Sequence, residues 1–137
     1  MKPATSAKIR VLIADDHITV LEGLAAIISR QSDMAVLAQA ADGGEVVTLW
    51  EKHRPDITLV DLRMPVLDGV GAIEEIRRRD GSARLIVLTT FDSDTDLLNA
   101  IKAGAKGYLL KDSGRAELRG AIGFAPAFGE AVGCEHE

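Results

Sequence analysis

The sequence predicts an α/β fold, with a parallel sheet covered by helices on both faces, from two observations. Short apolar runs alternate five times with segments of helical periodicity. The clearest runs, Ile9–Ala14 and Ile57–Val60, are too short for helices and too continuously apolar for strands with one face in water. Strands that alternate with helices of about ten residues favour βαβ units, and therefore a parallel sheet.

The first part of the chain supplies two predicted strand–helix units. A strand at residues 9–14 leads to a helix over 18–30, in which apolar residues recur at helical spacing. A second strand, 34–40, is less apolar, and we expect it nearer the sheet edge. The following helix, 44–53, ends before Pro55 because proline cannot continue a helix.

The second part continues the same alternation through three more units. The run Tyr108–Leu110 is apolar throughout, and we interpret it as a short strand of central character. The remaining predicted elements are a strand at 57–61, a helix opened by Asp68 and Gly69, a strand at 84–89, a helix at 94–103 that Gly104 ends, and a last helix from about 115 to 122 that Ser113 caps.

Composition excludes several classes of function. The 137 residues suit one domain, and 16 Lys+Arg against 21 Asp+Glu give a net charge of −5, which leaves no electrostatic footprint for DNA binding by this chain alone. No run reaches the ~18 apolar residues of a membrane span, and the polar start lacks the apolar stretch of a secretory signal. The single cysteine, Cys134, cannot form an internal disulfide, which fits the reducing cytoplasm.

Acidic residues follow two of the predicted strands at the point where each ends. Asp15 and Asp16 follow the first strand, and Asp61 closes the third. If these strands are neighbours, the three carboxylates meet at the carboxyl edge of the sheet, where open α/β sheets bind their ligands. Their mutual repulsion predicts a bound cation, and a set of oxygen ligands suits Mg²⁺.

Two further side chains at strand ends complete a candidate phosphoryl-transfer site. Asp61 is the candidate nucleophile, because a carboxylate can attack phosphorus to form an acyl phosphate. Thr89, which ends the fourth strand, offers a hydroxyl to a phosphoryl oxygen, and Lys111, after the fifth, offers an ammonium group. Each residue alone has a simpler interpretation, such as a helix cap or a surface charge. Their joint placement at strand ends favours the site.

These residues also carry a resemblance to a known family. Asp15-Asp16, the block from Val60 to Gly69 with its Asp-x-x-Met-Pro motif, Thr89, and the segment Gly107–Lys111 resemble the receiver domain of two-component response regulators. The variants around Leu88–Asp92 and Tyr108–Asp112 are most similar to the NarL/FixJ group, which joins its receiver to a LuxR-type helix-turn-helix domain. The resemblance spans residues 9–122.

The resemblance implies a flavodoxin-like (βα)₅ fold with strand order 2-1-3-4-5. It implies that Asp61 accepts a phosphoryl group from a sensor histidine kinase, with Mg²⁺ held by Asp16, Asp61 and the backbone carbonyl of Arg63, and by Asp15 through water. Thr89 and Lys111 would contact the phosphoryl oxygens, and Thr89 and Tyr108 would act as switch residues.

The expected organisation follows from the same resemblance. Residues 1–8 form a flexible N-terminus, 9–123 the receiver domain, and 124–137 a tail or the start of a linker. DNA would be contacted only through an output domain absent from this chain, so the chain is either a receiver fragment or a stand-alone receiver. The resemblance is also compatible with a homodimer, although Gly120, Gly123 and Pro126 weaken the last helix that could mediate it.

Three alternatives remain open at this stage. A receiver-like scaffold would keep the fold and signal without phosphorylation. An aspartyl-phosphate hydrolase would need a second acid two residues after the nucleophile, where Arg63 stands. His17 could be a metal ligand, but an oxygen-ligated Mg²⁺ site has little use for imidazole, and we interpret His17 as a surface residue at a helix start.

Overall fold

A computed structural model describes residues 8–89, 94–111, 117–118 and 120–122. Its strands form one parallel sheet in the order β2-β1-β3-β4-β5, which confirms the predicted fold class. The predicted Ser113 cap, the N-terminal segment and the tail lie outside the described residues. The elements are β1 (Ile9–Ala14), α1 (Ile18–Ser29), β2 (Met34–Ala40), α2 (Gly43–His53), β3 (Ile57–Asp61), α3 (Gly69–Arg79), β4 (Leu85–Thr89), α4 (Asp94–Ala103) and β5 (Gly107–Leu110), with further helical residues at 117–118 and 120–122.

The sheet register brings the ends of β1 and β3 side by side. Ala14 is paired with Val60, so Asp15 and Asp61 occupy the next positions on adjacent strands. On the other side, Asp61 is paired with Leu88 of β4, one residue before Thr89. The carboxyl edge of the sheet therefore collects the residues that follow each of these strands.

The strand order implied by the resemblance places both outer strands correctly, whereas apolar character alone is right for only one of them. β2 lies at the sheet edge, as its less apolar sequence predicts. The interpretation of Tyr108–Leu110 as a central strand is wrong, because β5 lies at the opposite edge and pairs only with β4 among the described strands. Its apolar character comes from packing above and below the sheet, since Tyr108 contacts the core on one face and Leu109 the core on the other.

Strand alternation divides the hydrophobic core between the two faces of the sheet. Leu12 and Val60 point to the face covered by α2, α3 and α4, whereas Ile13 and Leu59 point to the face covered by α1 and the last helical residues. These strand residues are fully buried. Burial of both faces explains the continuous apolar runs in the sequence and holds the strand ends rigidly in place.

Two aspartates fix the start of the helices that follow β2 and β3. The Asp42 carboxylate accepts a hydrogen bond of 2.7 Å from the Glu45 backbone N–H, and Asp68 accepts one of 2.8 Å from the Gly71 backbone N–H. Each aspartate therefore satisfies one of the unpaired N–H groups at a helix start. The predicted opening of α3 at Asp68 is confirmed.

Candidate functional site

The site lies at the carboxyl edge of the sheet, where four strands each contribute one side chain. Asp15 follows β1, Asp61 ends β3, Thr89 ends β4 and Lys111 follows β5. Asp15 is fully buried, and Asp61 and Thr89 are each 3% exposed. Lys111 contacts both Asp15 and Asp61, although the three residues lie far apart in the sequence.

Lys111 joins the two buried carboxylates. Its Nζ atom lies 3.1 Å from Asp15 Oδ2 and 3.1 Å from Asp61 Oδ1. The lysine side chain is 18% exposed, so solvent screens these contacts much less than it screens a surface ion pair. One ammonium group faces two carboxylates, which leaves negative charge uncompensated at the sheet edge.

The protonation behaviour of the pair follows from this arrangement. Burial, together with the nearby charge of Asp15, raises the pKa of Asp61, although Lys111 and the Arg63 backbone N–H oppose the rise. Burial disfavours a charged Lys111, but its contacts with Asp61 and Asp15 outweigh that effect and raise the pKa of the ammonium group. Lys111 therefore stays a cation, and an ionised Asp61 is held at a cost in free energy.

The donor set fits a hard divalent cation. Ligand atoms of Asp15, Asp16, His17 and Asp61 all lie within 4.8 Å of one another. Asp61 Oδ2 is buried and accepts no hydrogen bond from the described part of the chain. A buried carboxylate oxygen without a partner is costly, and a cation among the acids would satisfy it. The acid cluster expected from the sequence is therefore assembled in the structure.

His17 begins α1 with its side chain 62% exposed, so its predicted position is confirmed. The Asp15 Oδ1 atom accepts a 2.9 Å hydrogen bond from the His17 backbone N–H and lies 2.9 Å from His17 Nδ1. The same ring nitrogen lies 3.2 Å from Asp16 Oδ1. The contact of the imidazole with both acids was missed by the sequence interpretation, although the adjacency in Asp15-Asp16-His17 was a signal for it.

A tight loop holds the end of β3 against the start of α3. The Gly69 backbone N–H donates a 2.9 Å hydrogen bond to the Leu62 carbonyl oxygen. A Cβ atom at Gly69 would lie 2.3 Å from the Asp61 carbonyl oxygen, so only glycine allows this close approach. In the same loop Val66 has φ +73° and is 83% exposed, a strained conformation for a β-branched residue. The loop that carries Asp61 and Arg63 is thus fixed at both ends.

Arg63 connects this loop to α4. Its guanidinium Nη2 lies 3.2 Å from Asp96 Oδ2, although the Arg63 side chain is 70% exposed. The pair borders a cleft of about 470 Å³ beside the acids, also lined by Asp16 and Met64. Sequence patterns carry no signal for this contact, because Asp96 lies 33 residues from Arg63 on a separate element. The expected ligand role of the Arg63 carbonyl stays a prediction.

The two expected switch residues lie on adjacent strands. The Lys111 backbone N–H donates a 2.8 Å hydrogen bond to the Thr89 carbonyl oxygen, which ties the end of β4 to the residue after β5. Tyr108 is half-buried on β5 and packs against the core that α3 and α4 cover. Their positions link the acid site to the α4–β5 face of the molecule.

Comparisons with known proteins agree with this geometry. The family model of the response regulator receiver domain matches residues 11–123. The chain belongs to this family. This receiver domain is 42% identical over 125 residues to the transcriptional regulatory protein YxjL of Bacillus subtilis, an alignment that covers 91% of this chain and 57% of that protein. It is 45% identical over 114 residues to LiaR of the same organism, with 83% and 54% of the two chains covered. The receiver domain therefore spans about half the length of these curated relatives.

Solved structures confirm the fold and the predicted group. A LuxR-family two-component response regulator from Aurantimonas is similar with a TM-score of 0.84 and 39% identity, over 91% of this chain and 89% of that one. The signal receiver domain of NarL from Mycobacterium tuberculosis gives a TM-score of 0.84 and 32% identity, over 89% and 98%. Both resemblances agree with the NarL and LuxR features of the sequence.

Among the described helices, none has the length and apolar content needed to cross a membrane.

Proposed function

We propose that this receiver domain is phosphorylated on Asp61 by a sensor histidine kinase and acts as a two-state signalling switch. The observation that supports this most strongly is the buried Asp61 carboxylate, with one oxygen held by Lys111 and the other without a hydrogen-bond partner among the described residues. An ordinary helix cap or surface acid has neither property. The acceptor carboxylate therefore lies at a strand end, beside the Lys111 ammonium group, which stays protonated.

The proposed step transfers a phosphoryl group from a histidine of the kinase to the Asp61 carboxylate. The ionised Asp61 carboxylate attacks the phosphorus of a phosphohistidine, an O–P bond forms, and the N–P bond breaks so that its electron pair returns to the leaving imidazole. Lys111 then faces the phosphoryl group and the remaining Asp15 carboxylate, and the Thr89 hydroxyl would donate a hydrogen bond to a phosphoryl oxygen. The protein contributes position and electrostatics to this step.

The acids provide the cation site that such a transfer needs. Asp16, Asp61 and the Arg63 backbone carbonyl would ligate Mg²⁺ directly, and Asp15 would do so through water. When bound, Mg²⁺ neutralises the charge that accumulates on the transferring phosphoryl group. The buried, unpartnered Asp61 Oδ2 is the observation in this chain that supports the ligand set.

The output would be a change on the α4–β5 face. A phosphoryl group on Asp61 offers Thr89 a new hydrogen bond, and movement of Thr89 would change the space available to Tyr108 on the adjacent strand. Because the matching relatives are transcriptional regulators about twice the length of the matched region, we propose that this face controls a DNA-binding domain in a longer protein.

Intact-mass measurement with acetyl phosphate as the donor tests the proposal. Wild type should gain one phosphoryl group in Mg²⁺ and none in excess chelator, and Asp61→Asn should gain none. Asp56→Asn is the matched control, because Asp56 lies directly before the opposite end of the same strand, and it should be phosphorylated as wild type is. Absence of a Mg²⁺-dependent adduct in wild type would refute phosphorylation and favour a scaffold that signals by contact alone.

A further inference from the structure

An exposed ion pair joins the loop of the site to the start of α4. Arg63 Nη2 lies 3.2 Å from Asp96 Oδ2, and Arg63 Nε lies 3.4 Å from the same oxygen. The two side chains are 70% and 41% exposed, so water and salt screen their attraction. Exposed pairs of this kind contribute little to stability, and a stronger partner nearby can therefore replace one of the two residues.

Arg63 is close to the proposed phosphoryl acceptor. Its backbone N–H faces the Asp61 carboxylate and helps to hold the negative charge there. Its side chain lines the cleft beside the acids, and it is the only basic side chain among the described residues that line this cleft. Three acids, Asp16, Asp68 and Asp96, line the same cleft. A new negative charge on Asp61 would therefore meet one long and exposed cationic side chain.

The other partner of the pair lies on a helix that has few buried contacts. Among the described side chains of α4, only that of Ala100 is fully buried, and Leu97 and Ile101 are half-buried against the core. By contrast, α3 buries Ile73 and Ile76 completely. Elements with few buried apolar contacts change position at a small cost in free energy. A single contact at the start of α4 can therefore influence where this helix lies.

Asp96 can lose its partner without becoming an isolated charge. It is the third residue of α4, so its carboxylate lies near the positive end of the helix dipole, which stabilises an anion. The same side chain remains in contact with water. Departure of Arg63 would therefore remove the connection between the loop and α4, while the helix start and the solvent still support the Asp96 carboxylate.

We propose that a phosphoryl group on Asp61 draws the Arg63 guanidinium away from Asp96 and thereby releases the start of α4 from the site loop. This inference rests on the proposed phosphorylation of Asp61. It adds a second connection between the site and the α4–β5 face, beside the one through Thr89 and Tyr108. The exchange replaces one ion pair by another, so it breaks no covalent bond and moves no proton.

The charges at the sheet edge give the exchange its direction. Before phosphorylation, the carboxylates of Asp15, Asp16 and Asp61 would be balanced by Lys111 and one Mg²⁺. An acyl phosphate in place of the Asp61 carboxylate adds about one negative charge, which neither cation balances. The planar guanidinium of Arg63 can donate two parallel hydrogen bonds to phosphoryl oxygens, whereas both of its contacts with Asp96 reach a single oxygen. The phosphoryl group is therefore the stronger partner.

Binding of beryllofluoride, which mimics the phosphoryl group, to the full chain in Mg²⁺ tests the exchange. Asp96→Asn removes the competitor for Arg63 and should increase beryllofluoride affinity about two- to fivefold, the contribution of one exposed ion pair. In an Arg63→Gln background the same change should alter the affinity by less than about 1.5-fold, because the pair is already absent. The second background separates the ion pair from the general loss of one negative charge.

Asp56→Asn is the matched control for the loss of an exposed ion pair. Asp56 Oδ2 lies 3.5 Å from Arg10 Nε at the opposite end of the sheet, and its side chain is 40% exposed, close to the value for Asp96. Its removal should leave beryllofluoride affinity unchanged, because this pair has no connection with the site or with α4.

NMR spectra report the two halves of the exchange separately. In wild type, the Arg63 Nε–H signal should shift when beryllofluoride binds in Mg²⁺. In chelator, the backbone amides of residues 98–102 should exchange with solvent faster in Asp96→Asn and in Arg63→Gln than in wild type, and by the same factor, since either change breaks the same contact.

The outcomes distinguish this inference from the proposed function. Equal beryllofluoride affinities of wild type and Asp96→Asn would overturn the exchange while leaving phosphorylation of Asp61 intact. An equal gain in both backgrounds, or an Arg63 Nε–H signal that beryllofluoride leaves unchanged, would do the same. A wild type that binds no beryllofluoride would overturn the exchange together with the proposed function.

Discussion

Two groups of acidic residues in this receiver domain have opposite electrostatic environments. At the sheet edge, Asp15 and Asp61 are buried and share one ammonium group, that of Lys111. On the surface of α2 and α3, Glu51 and Glu75 both contact Arg79, whose Nη1 lies 3.3 Å from Glu51 and whose Nη2 lies 3.1 Å from Glu75. The first group is short of positive charge, and the second is not.

The pKa directions express this difference. Burial and the charge of Asp15 raise the pKa of Asp61. Hydrogen bonds from Arg54 and Arg79 lower the pKa of Glu51, and a hydrogen bond from Arg79 lowers that of Glu75. Carboxylates that support the fold are neutralised by their neighbours, whereas those of the site keep an unmet demand for positive charge. That demand is what a cation and a phosphoryl-transfer reaction can use.

The largest expected effect comes from removing one buried charge at the site. Asp15→Asn should raise the free energy of unfolding in chelator by about 1 to 2 kcal/mol, because it removes repulsion with Asp61 while the amide oxygen can still accept the His17 N–H. Urea unfolding monitored by circular dichroism measures the gain. A loss of stability would mean that the Lys111 contact outweighs the repulsion, and that the site is not strained by its charge.

A smaller effect is expected from backbone strain, which also differs between the loop of the site and the end of α2. Val66 has φ +73° in the site loop and is 83% exposed, whereas Arg54 has φ 46° at the end of α2 but lies 4.4 Å over the Trp50 ring and contacts Glu51. Val66→Gly should stabilise the fold by about 1 kcal/mol, since glycine adopts this conformation freely. Arg54→Gly relieves similar strain but loses the contacts with Trp50 and Glu51. Its thermal midpoint should therefore rise less than that of Val66→Gly. An equal gain for both variants would contradict this distinction.

The smallest expected effect concerns the pH dependence of stability, which should have opposite signs for the contributions of Asp61 and Glu75. The raised pKa of Asp61 makes wild type less stable than Asp61→Asn at neutral pH, and the difference vanishes as the pH falls below the ordinary aspartate value of 3.8. The lowered pKa of Glu75 makes wild type more stable than Glu75→Gln at neutral pH, by less than about 2 °C, and that advantage is lost as the pH falls through the lowered pKa.

Thermal unfolding of wild type, Asp61→Asn and Glu75→Gln from pH 3 to 7 in chelator gives both differences in stability. Two differences of the same sign would show that the acid groups do not differ in the way described.

Much of the fold and the site could be predicted because both depend on local patterns. The strand ends at Ala14 and Asp61 and the helix start at Asp68 follow from hydrophobic runs and turn residues. The convergence of Asp15, Asp61 and Lys111 at one edge follows once their strands share one parallel sheet.

What could not be predicted depends on contacts between elements or on exact conformation. The Arg63–Asp96 pair forms between a loop and a helix that no pattern relates. Apolar character alone misplaced β5 in the middle of the sheet, because packing on both faces and pairing on both sides produce the same apolar run, although the strand order implied by the resemblance was right. The adjacency of Asp15, Asp16 and His17 suggests proximity, but the contacts of the ring nitrogen with both carboxylates depend on side-chain conformation, which spacing does not determine.

The most direct test of the central claim is thermal unfolding of wild type in chelator, in Mg²⁺, and in Mg²⁺ with beryllofluoride, a mimic of the phosphoryl group. If the sheet edge lacks positive charge and presents Asp61 as an acceptor, the midpoint should rise with Mg²⁺ and rise again with beryllofluoride, because both bind only the folded state. Asp61→Asn should lose the second rise entirely. A wild-type midpoint that is the same under all three conditions would contradict the account.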